Sequence, residues 1–173
     1  MGAIKRDFQL GDLVVPHDLI DFTKQRPLTF FDESSAAHID FTEPYCNELR
    51  KALIQAAERM AEPIHERAVY ACMEGPRYET AAEIRMLRRL GCDVVGMTGI
   101  PEAVLARELG ICYASLCYVS NMAAGMGGRI SHQKIVEIAS SIIPKLSNLL
   151  MQAILYLPES RNCSCTLFEK HED

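Results

Sequence analysis

The chain has 173 residues, 49% of them hydrophobic and 24% charged, and a net charge of -5. One sizeable core can be built from that composition. The mildly acidic balance, without a basic cluster, argues against nucleic-acid partners, and no apolar run approaches the roughly 20 residues of a membrane span. Met1-Gly2-Ala3-Ile4-Lys5-Arg6 lacks the apolar centre of a signal peptide, and Arg6 stands where a myristoylation signal places Ser or Thr, so a cytoplasmic location is expected. The seven cysteines include Cys72, Cys92, Cys112 and Cys117 inside apolar runs, which read as small buried hydrophobes in a reducing compartment. Cys163-Ser164-Cys165 does not have the spacing of a zinc or thioredoxin pair, so no metal site is expected.

Taken in order, residues 1–10 are polar. Asp12-Leu13-Val14-Val15-Pro16 is a short strand entered through Gly11 and closed by proline. Residues 17–35 show little periodicity, with Leu19-Ile20 and Phe30-Phe31 as apolar anchors of a long functional loop. His38-Ile39-Asp40-Phe41 alternates like a brief strand. A helix follows, capped at Thr42 or Glu43 with Pro44 in its first turn, buried along Leu49, Ala52-Leu53, Ala56-Ala57 and Met60, and ended by Pro63. Val69 to Met73 is a buried strand that breaks at Gly75-Pro76. Thr80-Ala81-Ala82-Glu83 is a capping box at the mouth of a helix whose inner face is Ile84, Leu87 and Leu90 and whose stop is Gly91.

Asp93 to Met97 is the next strand, Thr98-Gly99 a loop, and Pro101-Glu102 the start of a helix closed by Gly110. Ile111 to Val119 reads as a fully buried strand and Ser120 to Gly128 as a glycine-rich loop. Ser131 caps a last helix with the stripe Ile135, Ile138, Ile142, Leu146 and Leu149, kinked at Pro144. Residues 1–157 form the domain, and 158–173 a polar, loosely docked or disordered tail.

Strand and helix alternation over 68–155 predicts an α/β fold with a mixed, largely parallel sheet flanked by helices. Ligands then gather at the carboxyl ends of the strands. Glu74–Thr80, Met97–Ile100 and Ser120–Gly128 would share that rim. Tyr78 could stack on a flat heterocycle, or pack in the core. Glu79 could accept N–H bonds, or simply favour a helix N-terminus. Thr98 offers a hydroxyl with free backbone N–H groups before a helix, a composition also common in plain loops. Met97 is core or a sugar contact. Asn121 both donates and accepts, as suits an N–H beside a C=O, or it is an ordinary turn residue. His38, His17, His65, His132 and His171 have no metal-ligand spacing, and no Walker, GxGxxG or GxSxG motif is present.

Glu74-Gly75-Pro76-Arg77-Tyr78-Glu79-Thr80, Ala82 to Leu87, Gly91 to Thr98, Pro101-Glu102, Ala106-Arg107-Glu108, Ile20 to Thr23, Arg26-Pro27 and His38 with Pro44-Tyr45-Cys46 resemble the trimeric purine nucleoside phosphorylases. The branch they resemble holds the methylthioadenosine, methylthioinosine and 6-oxopurine enzymes. The resemblance runs over about residues 2–155. It implies phosphorolysis in purine salvage, in which phosphate attacks C1′ of a purine nucleoside through an oxocarbenium-like transition state, with negative charge growing on the base. By the same resemblance, Asn121 serves the purine N7/O6 edge and Glu79 the N1–H. Tyr78 stacks near the base, Ala123 sits beside it, and Met97 lines the sugar. Thr98 contacts phosphate, and His38 reaches the 5′ end of a neighbouring subunit's sugar.

In the methylthioadenosine branch the Glu79 position is typically small and the Asn121 and Ala123 positions are aspartates. The residues present here favour inosine, guanosine or methylthioinosine. Phosphate is then a co-substrate and no cofactor is implied. A homotrimer or hexamer is expected. Family members also carry an N-terminal third with the glycine-rich phosphate loop, which this chain lacks. A poorly active chain is therefore expected, with methylthioadenosine phosphorolysis and non-catalytic purine binding as alternatives.

Overall fold

The computed structural model describes residues 1–31, 38–128 and 131–166. The expected loop over 17–35 and the end of the tail fall partly outside these residues. Eight strands are present among the described residues: β1 (Gly2–Ala3), β2 (Leu13–Val14), β3 (Asp18–Phe22), β4 (Ile64–His65), β5 (Val69–Met73), β6 (Val94–Gly96), β7 (Cys117–Tyr118) and β8 (Asn121–Met122). The helices are α1 (Asn47–Arg59), α2 (Ala81–Arg89), α3 (Gly99–Glu108) and α4 (His132–Ile154). One sheet has the order β3-β5-β6-β1-β8 and a smaller one β4-β2-β7. Pairing is parallel for β3/β5, β5/β6, β1/β8 and β2/β4, and antiparallel for β1/β6 and β2/β7, so the fold is the expected mixed, largely parallel α/β.

The period-2 alternation of strands explains the layers. On β5, Tyr70 and Cys72 join Ala3, Val94 and Ile100 on one face of the large sheet. Ala71 joins Ile4, Val95 and the α2 residues Ile84 and Leu87 on the other. Leu13 and Val15 of the small sheet pack against Leu53, Ala56 and Ala57 of α1 and Leu149 and Ala153 of α4. Arg50 is buried at this junction because its guanidinium is satisfied, donating to the carbonyls of Pro16 (2.9 Å) and Glu66 (2.6 Å) and to Asn47 Oδ1 (3.1 Å). No helix among the described residues is long and apolar enough to cross a membrane.

Several expectations are corrected. Gly2-Ala3 is no polar lead-in. It is fully buried between β6 and β8, and two residues are too few to show a period. Asp18–Phe22 lies in the expected loop but pairs along its whole length with β5, from Asp18 opposite Val69 to Phe22 opposite Met73. As an edge strand it leaves both its aspartates exposed, which hides its pattern.

Residues 38–41 are not a strand. Helix α1 starts at Asn47 with Cys46 as N-cap, because the Cys46 N–H is held by the Tyr113 carbonyl at 2.7 Å, and Thr42 instead bonds Asp40. Leu90 ends α2 54% exposed, one step off the Ile84–Leu87 stripe. Residues 111–119 are strand only at Cys117–Tyr118, and Ile111 is exposed. Ser131 precedes α4 without a side-chain cap. Within the described part of the tail, contacts to the body are present. Asn162 N–H donates to Glu48 Oε1 at 2.8 Å, and Cys165 is buried in a 3-10 turn, Ser164–Thr166.

Candidate active site

The carboxyl ends of β5 and β6 and strand β8 meet at one rim. Register places Cys72 of β5 beside Gly96 of β6, Val95 of β6 beside Gly2 of β1, and Gly2 beside Asn121 of β8. Beyond β5 the chain turns through Gly75, whose φ of +70° disfavours any side chain and where a side chain would also displace Met97. A Cβ there would lie 2.7 Å from Met97 Sδ. The turn ends in the capping box of α2: Glu83 N–H donates to Thr80 Oγ1 (3.2 Å) and Thr80 N–H to Glu83 Oε2 (2.7 Å). Arg77 adds a bidentate pair to the same carboxylate at 2.7 and 2.8 Å. Arg77, then Thr80, holds the Glu83 carboxyl down at about 2. This network fixes the backbone on either side of Tyr78 and Glu79.

Tyr78, Glu79, Met97 and Asn121, foreseen from three separate segments, line one cavity of about 210 Å³ together with Gly2, Gly96, Ser120 and Ile135. Tyr78 is 44% exposed, so its ring faces the opening instead of joining the core. Glu79 is only 8% exposed and its Oε1 is buried with no hydrogen-bond partner among the described residues. Burial pushes the Glu79 carboxyl above its ordinary value, against the pull of its own backbone N–H and of Arg77. A buried carboxylate oxygen without a donor is costly unless a ligand supplies one.

Asn121 is oriented by neighbours: Ser120 Oγ donates to its Oδ1 at 2.9 Å, and its Nδ2 donates to the Met122 carbonyl at 3.0 Å. That leaves one Nδ2 hydrogen and part of Oδ1 for a ligand. Chemically, the cavity offers a ring face, a carboxylate acceptor and an amide. Such a set suits a flat heterocycle that presents N–H and C=O groups.

Thr98 lies apart from these four. It lines an adjoining cavity of about 330 Å³, which shares Met1, Gly96 and Met97 with the first. Its hydroxyl makes no cap bond. The backbone N–H groups of Thr98 and Gly99, expected to be free, instead donate to Tyr70 Oη at 3.3 and 3.5 Å. Gly96 permits this, since a Cβ would lie 2.6 Å from that oxygen. Neither cavity has a lysine or arginine among its described lining residues. The Met1 amine, held below its ordinary value by burial, donates to the Tyr118 carbonyl and Ser120 Oγ at 3.0 and 3.2 Å.

Ala123 is buried in the core beside β1, its N–H donating to the Ala3 carbonyl at 2.8 Å, and is not among the residues lining the cavity. His38 is exposed and is not among the residues that line it. Sequence reasoning missed Ser120, which orients Asn121, and Tyr70, which occupies the α3 amides. Adjacency of Ser120 to Asn121 was the available signal for the first. The second depends on a cross-strand contact that the sequence does not display.

The phosphorylase superfamily model matches residues 1–155. A probable S-methyl-5'-thioinosine phosphorylase of Methanopyrus kandleri is 50% identical over 168 residues, which are 96% of this chain and 65% of that protein. The 6-oxopurine nucleoside phosphorylase of Pyrococcus furiosus is 48% identical over 173 residues, 95% of this chain and 65% of its own length. A crystal structure of a methylthioadenosine phosphorylase from an antarctic soil metagenomic library superposes with a TM-score of 0.90 at 31% identity, over 96% of this chain and 60% of that one. The chain thus spans about 65% of the length of the curated relatives it matches. It belongs to the phosphorylase superfamily.

Proposed function

We propose that the chain supplies the base-reading half of a purine nucleoside phosphorylase acting on 6-oxopurine nucleosides: inosine, guanosine or methylthioinosine. The observation that carries this reading is the buried Glu79 carboxylate, whose Oε1 lacks a donor, on the wall that also holds Tyr78 and Asn121. A 6-oxopurine presents an N1–H that this acceptor would complete. Adenine has a bare N1 there and would leave two acceptors facing each other.

As phosphate attacks C1′, charge grows on the base. The spare Nδ2 hydrogen of Asn121 would then donate to O6, and its Oδ1 would accept from a protonated N7. Ser120 acts as a positioning residue for that amide. Met97 would line the sugar. Thr98 would meet phosphate through its hydroxyl, since its backbone N–H is already engaged by Tyr70. His38, exposed and not among the residues lining its own chain's cavity, fits a contact with the sugar of a neighbouring subunit. A cytoplasmic homotrimer or hexamer would supply that neighbour.

A second reading, purine binding without turnover, is favoured by the lack of lysine or arginine among the described residues lining the two cavities. The test is phosphate-dependent cleavage of inosine and adenosine by the wild type and Asn121→Asp. Inosine cleavage in the wild type, with a preference moved toward adenosine in the variant, supports phosphorolysis. Hypoxanthine binding that ignores phosphate, with no cleavage, supports the second reading. Equal rates on the two nucleosides before and after substitution contradict the assignment of Asn121.

A further inference from the structure

Four cysteines far apart in sequence converge outside the candidate active site. Cys46, Cys112, Cys163 and Cys165 place their Sγ atoms all within 4.8 Å of one another, and Cys112 and Cys163 are 3.4 Å apart. Cys46 is the buried N-cap of α1, Cys112 follows α3, Cys163 immediately precedes the 3-10 turn of the tail and Cys165 lies within it. Four thiolates around one tetrahedral zinc ion, each at about 2.3 Å, lie about 3.8 Å from each other. The cluster is within a small adjustment of that geometry, and its members are buried or half-buried.

The surroundings suit the charge that four thiolates and a divalent cation leave behind. The N-terminus of α1 carries a partial positive charge beside Cys46. Arg161 Nη1 stands 4.0 Å from Cys112 Sγ and donates to the Gly110 carbonyl at 3.3 Å. The acidic group nearest on α1, Glu48, is turned to the tail's backbone at Asn162.

We infer that Cys46, Cys112, Cys163 and Cys165 form a structural tetrathiolate zinc site that fastens the C-terminal tail to the start of α1 and the loop after α3. All four positions are filled by protein, as in a closed structural site and not a catalytic one. Soft thiolates in a tetrahedron select zinc over hard cations. The spacing Cys163-x-Cys165 alone does not signal zinc, because the other two ligands come from 51 and 117 residues earlier in the numbering of Cys163.

The test is metal analysis of the full chain purified under reductant, followed by cobalt titration of the stripped protein. The expected results are about one zinc per chain and tetrahedral thiolate cobalt absorption that saturates at about one equivalent. Cys163→Ser/Cys165→Ser should bind the ion at least ~10-fold more weakly, while Cys92→Ser binds it as the wild type does. Should the double variant not fold, cobalt titration of the wild type decides alone. Absence of metal under reductant overturns the site, whether the four thiols are then free or paired as disulfides.

Discussion

Glu79→Gln removes the negative charge at the one buried carboxylate oxygen that lacks a donor among the described residues, and nearly keeps its volume. A hydrogen bond to a charged group is worth about 1.5–3 kcal/mol. The glutamine oxygen still accepts, as a neutral group worth about 0.5–1.5 kcal/mol, so about 1–1.5 kcal/mol is lost and binding of a ligand N–H donor weakens roughly 5- to 10-fold. The same change removes a desolvated carboxylate, so folding stability should hold or rise. Calorimetric titration with hypoxanthine and urea unfolding of both proteins measure the two effects. Weaker binding with unchanged or higher stability is expected. Unchanged affinity would refute the role given to Glu79, and a lower stability together with lower affinity would show that its carboxylate serves the fold.

The raised pKa of Glu79 gives hypoxanthine binding a pH dependence. Affinity should fall as pH drops through a value above the ordinary 4.5 of a glutamate, and Glu79→Gln should abolish that limb of the titration. Because the folded-state pKa is raised, the stability penalty of the ionised carboxyl is absent below the unfolded value and complete above the folded one. Glu83 behaves in the opposite sense. Its depressed carboxyl stabilises the fold above the ordinary 4.5 and loses that contribution as pH falls toward about 2, so Glu83→Gln should flatten the acid limb of urea midpoints against pH. Thr80→Ala, which removes the N-cap of α2, should cost about 1 kcal/mol in urea unfolding. Gly75→Ala should cost about 1–2 kcal/mol from its left-handed backbone alone, and more from displacing Met97, with weaker base binding read in the same calorimeter.

Much of the large sheet was legible. Val69–Met73 stands where the apolar run ended by Gly75-Pro76 placed it, and the capping box at Thr80 and Glu83 forms as its spacing required. Tyr78, Glu79 and Met97 follow the parallel strands β5 and β6, whose carboxyl ends share a rim, and Asn121 joins them because it opens β8, which runs against those strands and so starts at the same rim. What the sequence hid is short or depends on distant partners. β1 and β8 have two residues each, and β3 is an edge strand with exposed aspartates. Tyr70 closes the α3 amides from the neighbouring strand, and the four thiols meet only through the tertiary fold. Cys46 caps α1 where Thr42 or Glu43 was expected, since the carbonyl of Tyr113 captures its N–H.

The most direct measurement of the purine-reading claim is calorimetry of the wild-type chain with hypoxanthine and with adenine, each with and without inorganic phosphate. Hypoxanthine should bind at one site, and adenine roughly 10-fold or more weakly, because Glu79 would face a bare ring nitrogen. Phosphate should tighten hypoxanthine binding if the adjoining Thr98 cavity completes the site. Equal affinity for the two bases, or binding of neither, would contradict the reading of Glu79 and Asn121 as a 6-oxopurine pocket.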